Sequence, residues 1–153
     1  MLRSVGSCSG NSGNLGLLET VSALLGELPW FLAYLGTAVG LTLIYVLVYM
    51  WVTPHDEIGL IRENNLAAAL AFAGSLMGFC LPLVSAIANS GSLADCALWG
   101  LIAMIVQIVI FFLVRIPVPG ISERIEKGET ASGLWLGSAS LAGGLLNAAS
   151  MSG

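Results

Sequence analysis

Residues 53–65, with the sequence TPHDEIGLIRENN, bring three acidic residues, one arginine and one histidine together between two long apolar runs. Elsewhere the chain of 153 residues is 57% hydrophobic, only 9% of it is charged, and its mean hydropathy is +0.93. Soluble domains carry about 25% charged residues, so a globule of this composition would lack a solvated surface. We therefore interpret the chain as an integral membrane protein and residues 53–65 as a loop outside the bilayer.

Working outward from this loop, four apolar runs are long enough to cross a bilayer, which takes about 20 residues. They cover residues 30–52, 66–88, 93–116 and 131–149. The predicted fold is therefore an all-α membrane protein with four transmembrane helices.

The N-terminal region divides into two parts of different composition. Residues 1–14 are rich in Gly, Ser and Asn, which predicts a flexible tail. Residues 15–28 carry leucines and a valine at helical spacing with two glutamates among them. This pattern predicts either an amphipathic helix at the membrane surface or an extension of the first span.

The distribution of basic residues predicts the orientation. Arg62 lies in the loop between the first two spans, whereas Arg124 and Lys127 lie in residues 117–130, between the third and fourth. The short turn at 89–92 has no basic residue. By the excess of Lys and Arg in cytoplasmic loops, both longer loops should be cytoplasmic and both termini periplasmic.

Each charged loop is predicted to form a short helix. In the first loop, Thr53 is the expected N-cap, Pro54 suits the first helical position, and acidic residues follow where the helix dipole favours them. In the second loop, Ser122 is the expected cap and Gly128 the expected end.

The charged side chains of these loops form a predicted solvated surface that could contact a cytoplasmic protein partner. They are His55, Asp56, Glu57, Arg62, Glu123, Arg124 and Lys127. A metal site at residues 55–57 is disfavoured because consecutive helical residues point about 100° apart. We predict no metal and no cofactor.

Shifting the chain by 64 positions aligns span with span and loop with loop, which predicts an internal repeat. Residues 29–88 and 93–149 would then be two parallel helical hairpins. The second and fourth spans are rich in small residues and contain the GxxxG pairs Gly74/Gly78 and Gly133/Gly137. Such faces allow close helix approach, so these spans should line the bundle centre or the interface of a homo-oligomer.

Four residues of other kinds within the spans are further candidates for function. Gln107 and Asn147 either line a polar path or form hydrogen bonds between helices, and Ser138 adds a hydroxyl to the small-residue face of the fourth span. Pro82 should kink the second span, which either marks a site or reflects packing.

Two segments resemble the YjfL family of bacterial inner-membrane proteins. TPHDEIGLIRENNLAAALAFAGSLMGFCLPLVSAI, residues 53–87, is similar to the first hairpin of that family. PGISERIEKGETASGLWLGSASLAGGLLNAA, residues 119–149, is similar to the second. The resemblance implies the bacterial inner membrane and a link to envelope homeostasis, but it transfers no catalytic residue.

These observations favour some functional classes over others. A net charge of -4 argues against a nucleic-acid partner. One histidine and the absence of nucleotide or nucleophile motifs argue against an enzyme. We expect an oligomeric scaffold for envelope maintenance whose cytoplasmic loops bind a partner. The alternative is an oligomeric ion channel or small transporter with a pore lined by the second and fourth spans. Membrane lipids are partners in either case, and a gap near Pro82 and Asn147 is a weaker lipid-binding candidate.

Overall fold

The computed structural model describes residues 9–53 and 56–151, with side chains from residue 16 onward. These residues form helices without any strand, so the predicted all-α class is confirmed. In chain order the six helices are α1 (Ser9–Val52), α2 (Glu57–Arg62), α3 (Leu66–Asn89), α4 (Leu93–Arg115), α5 (Ile121–Glu126) and α6 (Thr130–Met151).

Among the described residues, three segments are long and apolar enough to cross a membrane: Gly16–Val52, Leu66–Asn89 and Leu93–Arg115. The fourth predicted span corresponds to α6, whose 22 residues would reach about 33 Å. Its many Gly and Ser residues make it less apolar than the other three. Membrane character is thus confirmed, while a fourth span stays a prediction.

The chain divides into two compact units, Met1–Leu35 and Gly36–Gly153. Within the first unit, α1 begins at Ser9, so the prediction of a flexible tail over residues 1–14 is wrong for residues 9–14. Residues 15–28 belong to the same uninterrupted helix, and residues 1–8 lie outside the described part. Extending an existing helix gains a hydrogen bond for each residue fixed, which lets even Ser, Gly and Asn continue it.

In the second unit, aromatic side chains fill the core where α1, α3 and α4 meet. The Tyr45 and Phe79 rings stack with centroids 4.3 Å apart, and the Tyr49 ring meets Phe111 edge-on at 5.6 Å. Helix α3 packs most extensively against α6, and both helices also contact α4. Helix α3 continues through Pro82, which is buried.

The caps of the two short helices differ from the prediction. Asp56, not Thr53, caps α2, because its carboxylate accepts a hydrogen bond from the Gly59 amide at 3.1 Å. Thr53 instead donates to the Tyr49 carbonyl at 2.6 Å, which completes the last turn of α1. Pro54 lies outside the described residues.

The start of α5 likewise lies elsewhere than predicted. Gly120, in the left-handed conformation with φ 68°, occupies the N-cap position of α5. The predicted cap, Ser122, lies inside the helix, is buried, and accepts a hydrogen bond from the Arg115 guanidinium at 3.3 Å. The chain reversal needs a positive φ before α5, and glycine adopts it without steric cost. Gly128, with φ 78°, follows the C-cap Lys127, where the sequence predicted the end.

The helix boundaries recur at a fixed offset. Helices α2 and α5 each contain 6 residues, and their bounds, Glu57–Arg62 and Ile121–Glu126, are 64 positions apart. Helices α3 and α6 begin at Leu66 and Thr130, with the same separation.

Candidate functional site: a charged face built on two short helices

One end of the second unit carries nearly all of its charge. Helices α2 and α5 and the turns that follow them display eight exposed charged side chains, which we call the charged face. They are Asp56, Arg62, Glu63, Glu123, Arg124, Glu126, Lys127 and Glu129. The predicted residues Asp56, Arg62, Glu123, Arg124 and Lys127 thus come together, whereas His55 lies outside the described residues.

Glu57 was predicted to be part of this solvated surface, and that prediction is wrong. Its side chain is only 1% exposed, and one carboxylate oxygen accepts a hydrogen bond from the Tyr49 hydroxyl at 2.9 Å. The Asp56 cap sets the direction of the first turn of α2, so the next side chain points inward. Glu57 therefore anchors α2 to α1 and leaves the contact surface to its neighbours.

Asn65 connects the end of α5 to the start of α3. Its side-chain amide donates to the carbonyls of Ile125 and Glu126 at 2.9 and 3.2 Å, at the end of α5. Its carbonyl oxygen accepts from the Ala68 amide at 3.1 Å and thereby caps α3. One side chain thus fixes the end of α5 against the start of α3. The other side of α5 is buried, because Ile121 and Ile125 are only 1% and 0% exposed.

A shallow groove of about 260 Å³ opens on the charged face. It is lined by Asp56, Gly59, Leu60, Glu63 and Glu126, so three of its five lining residues carry a carboxylate. Carboxylates at a partly exposed surface attract a nearby cation. The groove is therefore suited to a cationic group that carries some apolar surface.

Arg124 and Arg115 each make a defined contact at this end of the second unit. The Arg124 guanidinium contacts the Glu129 carboxylate at 2.6 Å, and both side chains are nearly half exposed. Arg115 lies with its guanidinium carbon 5.3 Å from the Phe111 ring centroid, a cation–π geometry. The Arg115 contacts with Phe111 and Ser122 fix the junction between α4 and α5.

Behind the charged face, the predicted small residues bring α3 and α6 into backbone contact. A methyl group on Gly74 would overlap the backbone of Gly137, and one on Gly133 would overlap the carbonyl of Ala67. Gly144 contacts the carbonyl of Gly78 in the same way. Pro82 lacks the amide that would bond to this carbonyl in a regular helix, which leaves the carbonyl accessible to Gly144. The small-residue faces of α3 and α6 therefore pack against each other.

Gln107 lies in this interior and is 1% exposed. Its amide nitrogen donates to the Ser140 carbonyl at 3.1 Å, which joins α4 to α6 beside Gly78. Its amide oxygen and the Ser140 hydroxyl are buried without a hydrogen-bond partner among the described residues. The arrangement is a hydrogen bond between helices.

The other polar candidates lie apart from Gln107. Ser138 is exposed on the outer side of α6 and lines a small apolar groove with Gly74 and Gly137. Asn147 is half-buried near the end of α6. The structure therefore does not bring Gln107, Ser138 and Asn147 into one site.

Two polar contacts were missed by sequence reasoning. The Tyr49 hydroxyl bonds to Glu57, and the Tyr45 hydroxyl lies 2.5 Å from the Ser75 hydroxyl. The four-residue spacing of Tyr45 and Tyr49 places both on one helix face and was the available signal.

With this geometry in place, comparison with known proteins identifies the family. Residues 23–151 match the family described as Domain of Unknown Function (DUF350). The chain belongs to the DUF350 family. No solved structure matches the chain.

Named relatives cover most of this DUF350 protein. It is 44% identical over 128 residues to the UPF0719 inner membrane protein YjfL of Escherichia coli strain K12, a match that spans 84% of this chain and 97% of the relative. It is 27% identical over 109 residues to the UPF0719 transmembrane protein YshE of Bacillus subtilis strain 168, a match that spans 70% of this chain and 81% of the relative. The resemblance to the YjfL family is thus confirmed, and the protein is an integral inner-membrane protein. The matched family is described as a domain of unknown function.

Proposed function

We propose that this DUF350 protein is a non-enzymatic scaffold of the bacterial inner membrane whose charged face lies in the cytoplasm and binds a protein partner. The observation that carries the proposal is the way the charged face is held. Hydrogen bonds of the buried Glu57 and the half-buried Asn65 hold α2 and α5 in place, so eight exposed charges are presented in a set arrangement. A surface that is ordered before binding loses less entropy when a partner docks.

The cytoplasmic orientation is supported by the basic residues. All four Lys and Arg residues among the described residues, Arg62, Arg115, Arg124 and Lys127, lie at the end of the second unit that carries the charged face. Basic residues close to membrane spans favour the cytoplasmic side. If α6 is the fourth span, both termini lie in the periplasm.

The fourth span and the internal repeat are parts of the same proposal. Helix α6 contacts α3 along its glycines, as a helix within the bilayer would. The offset of 64 positions between the two short helices, and between α3 and α6, supports two parallel hairpins. In this arrangement both hairpin turns contribute to a single charged face.

The partner is proposed to offer a basic segment. Five exposed carboxylates stand against three exposed cations on the charged face, and the groove is lined by three of those carboxylates. Complementary charge steers association and discriminates against acidic partners. Leu60 in the groove adds apolar contact area beneath the charges.

The channel alternative gains no comparable support. In an oligomeric channel lined by the second and fourth spans, the small-residue faces of α3 and α6 would turn toward a lumen. Gly74 and Gly137 instead meet at backbone contact, as do Gly78 and Gly144.

Co-purification from bacterial membranes tests the scaffold proposal. The charge-reversal variant Glu63→Lys/Glu126→Lys should retain membrane insertion but lose a co-purified cytoplasmic protein by about tenfold or more, since 1.4 kcal/mol of lost attraction is a factor of ten. Glu19→Lys, which reverses an exposed acid outside the charged face, is the matched control. Equal recovery of the partner with the unmodified protein, the charge-reversal variant and the control variant would contradict the proposal.

A further inference from the structure

The first half of α1 carries a wide apolar stripe that is exposed in the structure. In a heptad register with Leu17 at position d, every a, d and e position from 17 to 35 holds a large apolar residue. Their exposure ranges from 46% at Leu28 to 66% at Leu17. The members of this stripe are Leu17, Leu18, Val21, Leu24, Leu25, Leu28, Phe31, Leu32 and Leu35.

The same register continues into a face that is packed. In the second unit, Tyr45 and Tyr49 occupy positions d and a, and they are only 2% and 3% exposed because they pack against α3 and α4. Ala38 and Val52, both at position d, are also packed against the core. The a and d positions of this helix are thus already used for helix packing where neighbouring helices exist. A seam of this kind, sustained over several heptads, is typical of helix–helix association.

The length of the helix makes it difficult for lipid alone to cover the stripe. The segment Gly16–Val52 has 37 residues and would be about 55 Å long, whereas the hydrocarbon core is about 30 Å thick. Part of the stripe therefore extends beyond the hydrocarbon, where exposed apolar surface marks an interaction site.

The charges beside the stripe argue against the lipid headgroups as its cover. Residues 9–52 contain no Lys or Arg, and their only charged residues are Glu19 and Glu27. Helices that lie on a membrane surface are rich in basic residues, which anionic lipids attract. The a, d and e pattern instead matches the apolar face of a helix in a bundle.

We propose that a second copy of this chain covers the stripe, with residues 17–35 of the two copies packing helix against helix. A seam of Leu, Val and Phe is self-complementary, because identical apolar faces can interdigitate without an unpaired charge. This interface goes beyond the proposed function, which concerns the charged face, and either can fail without the other.

Oxidative cross-linking in native membranes tests the proposal. In a background with Cys8, Cys80 and Cys96 replaced by Ala, one variant carries Leu24→Cys at position d and the other carries Gly26→Cys at position f. The two positions lie about 3 Å apart along the helix axis but about 200° apart around it. They therefore lie at nearly the same depth in the membrane and point to opposite sides of the helix. The disulfide-linked dimer should be at least about fivefold more abundant for Leu24→Cys, since d positions meet across a helix pair and f positions point away.

Equal dimer yields, or more dimer from Gly26→Cys, would overturn the proposal. Absence of dimer from both variants, with both thiols reactive toward a maleimide, would also overturn it and would favour the membrane surface as the cover. As an independent check, Leu24→Lys should weaken the oligomer on native gels, while Glu19→Lys at position f should not. An unchanged oligomer for Leu24→Lys would likewise count against the interface.

Discussion

Replacing Gly144 by alanine should weaken the contact between α3 and α6 in a measurable way. A methyl group at this position would lie 2.5 Å from the carbonyl carbon and 2.6 Å from the Cα of Gly78. Ordinary contact begins at about 3.4 Å, and the carbonyl oxygen of Gly78 would lie nearer still, so the helices would have to separate by more than about 0.9 Å. Backbone atoms cannot rotate away, and the whole interface must therefore shift.

The free-energy change can be isolated with a control. Overpacking typically costs about 1–3 kcal/mol, whereas alanine in place of glycine gains up to about 1 kcal/mol of helix propensity. Gly40→Ala gains the same propensity without a clash, because nothing lies within 4 Å of its Cβ position. Because both variants gain the same helix propensity, the difference between their free energies of unfolding gives the packing cost. We expect Gly144→Ala to be about 2–3 kcal/mol less stable than Gly40→Ala, near the upper end because the clash involves backbone.

Unfolding in mixed micelles by increasing SDS, followed by circular dichroism, measures these differences. Gly143→Ala should fall between the other two variants, because its methyl group would meet only the Ile110 side chain, which can change rotamer. Stability should therefore decrease from Gly40→Ala to Gly143→Ala to Gly144→Ala. If Gly144→Ala were as stable as Gly40→Ala, the close approach of α3 and α6 would be refuted.

Three further outcomes are expected. Tyr49→Phe should destabilise the docking of α2 by about 1.5–3 kcal/mol through loss of the bond to Glu57, seen as faster amide exchange in α2, while Tyr34→Phe should not. Gln107→Leu should cost no more than about 1 kcal/mol in SDS unfolding, since the lost bond to Ser140 is offset by removal of an unpaired amide oxygen; a larger loss would contradict this. Liposomes with the inserted protein should leak ions no faster than empty ones, and selective flux that Ser138→Trp blocks would restore the channel alternative.

Much of the fold was readable because membrane helices are specified by local composition. The runs that end at Val52 and begin at Leu66 and Leu93 match helix boundaries in the structure, since the hydrocarbon requires each span to satisfy its own backbone hydrogen bonds. The small residues at Gly74 and Gly137 also indicated close packing in advance, because only small side chains let two backbones meet.

The predicted site was readable in part. Charge alone located the loops of Asp56 and Arg124, because polar groups avoid the bilayer core. It could not show that Glu57 is buried, since that depends on the Asp56 cap, which sets the direction of the next side chain, and on Tyr49, which lies 8 positions earlier. Nor could it show that Asn65 reaches the end of α5, 60 positions further along the chain.

The all-α class, the membrane setting and the segments of three apolar spans follow from the sequence alone, because hydropathy and helix periodicity act over neighbouring residues. Which small-residue faces meet, which carboxylate is an anchor and how Asn65 joins α5 to α3 depend instead on how the helices fold together. Those outcomes depend on contacts between residues distant in sequence. Their distances follow from the packing of whole helices, and no local pattern encodes them.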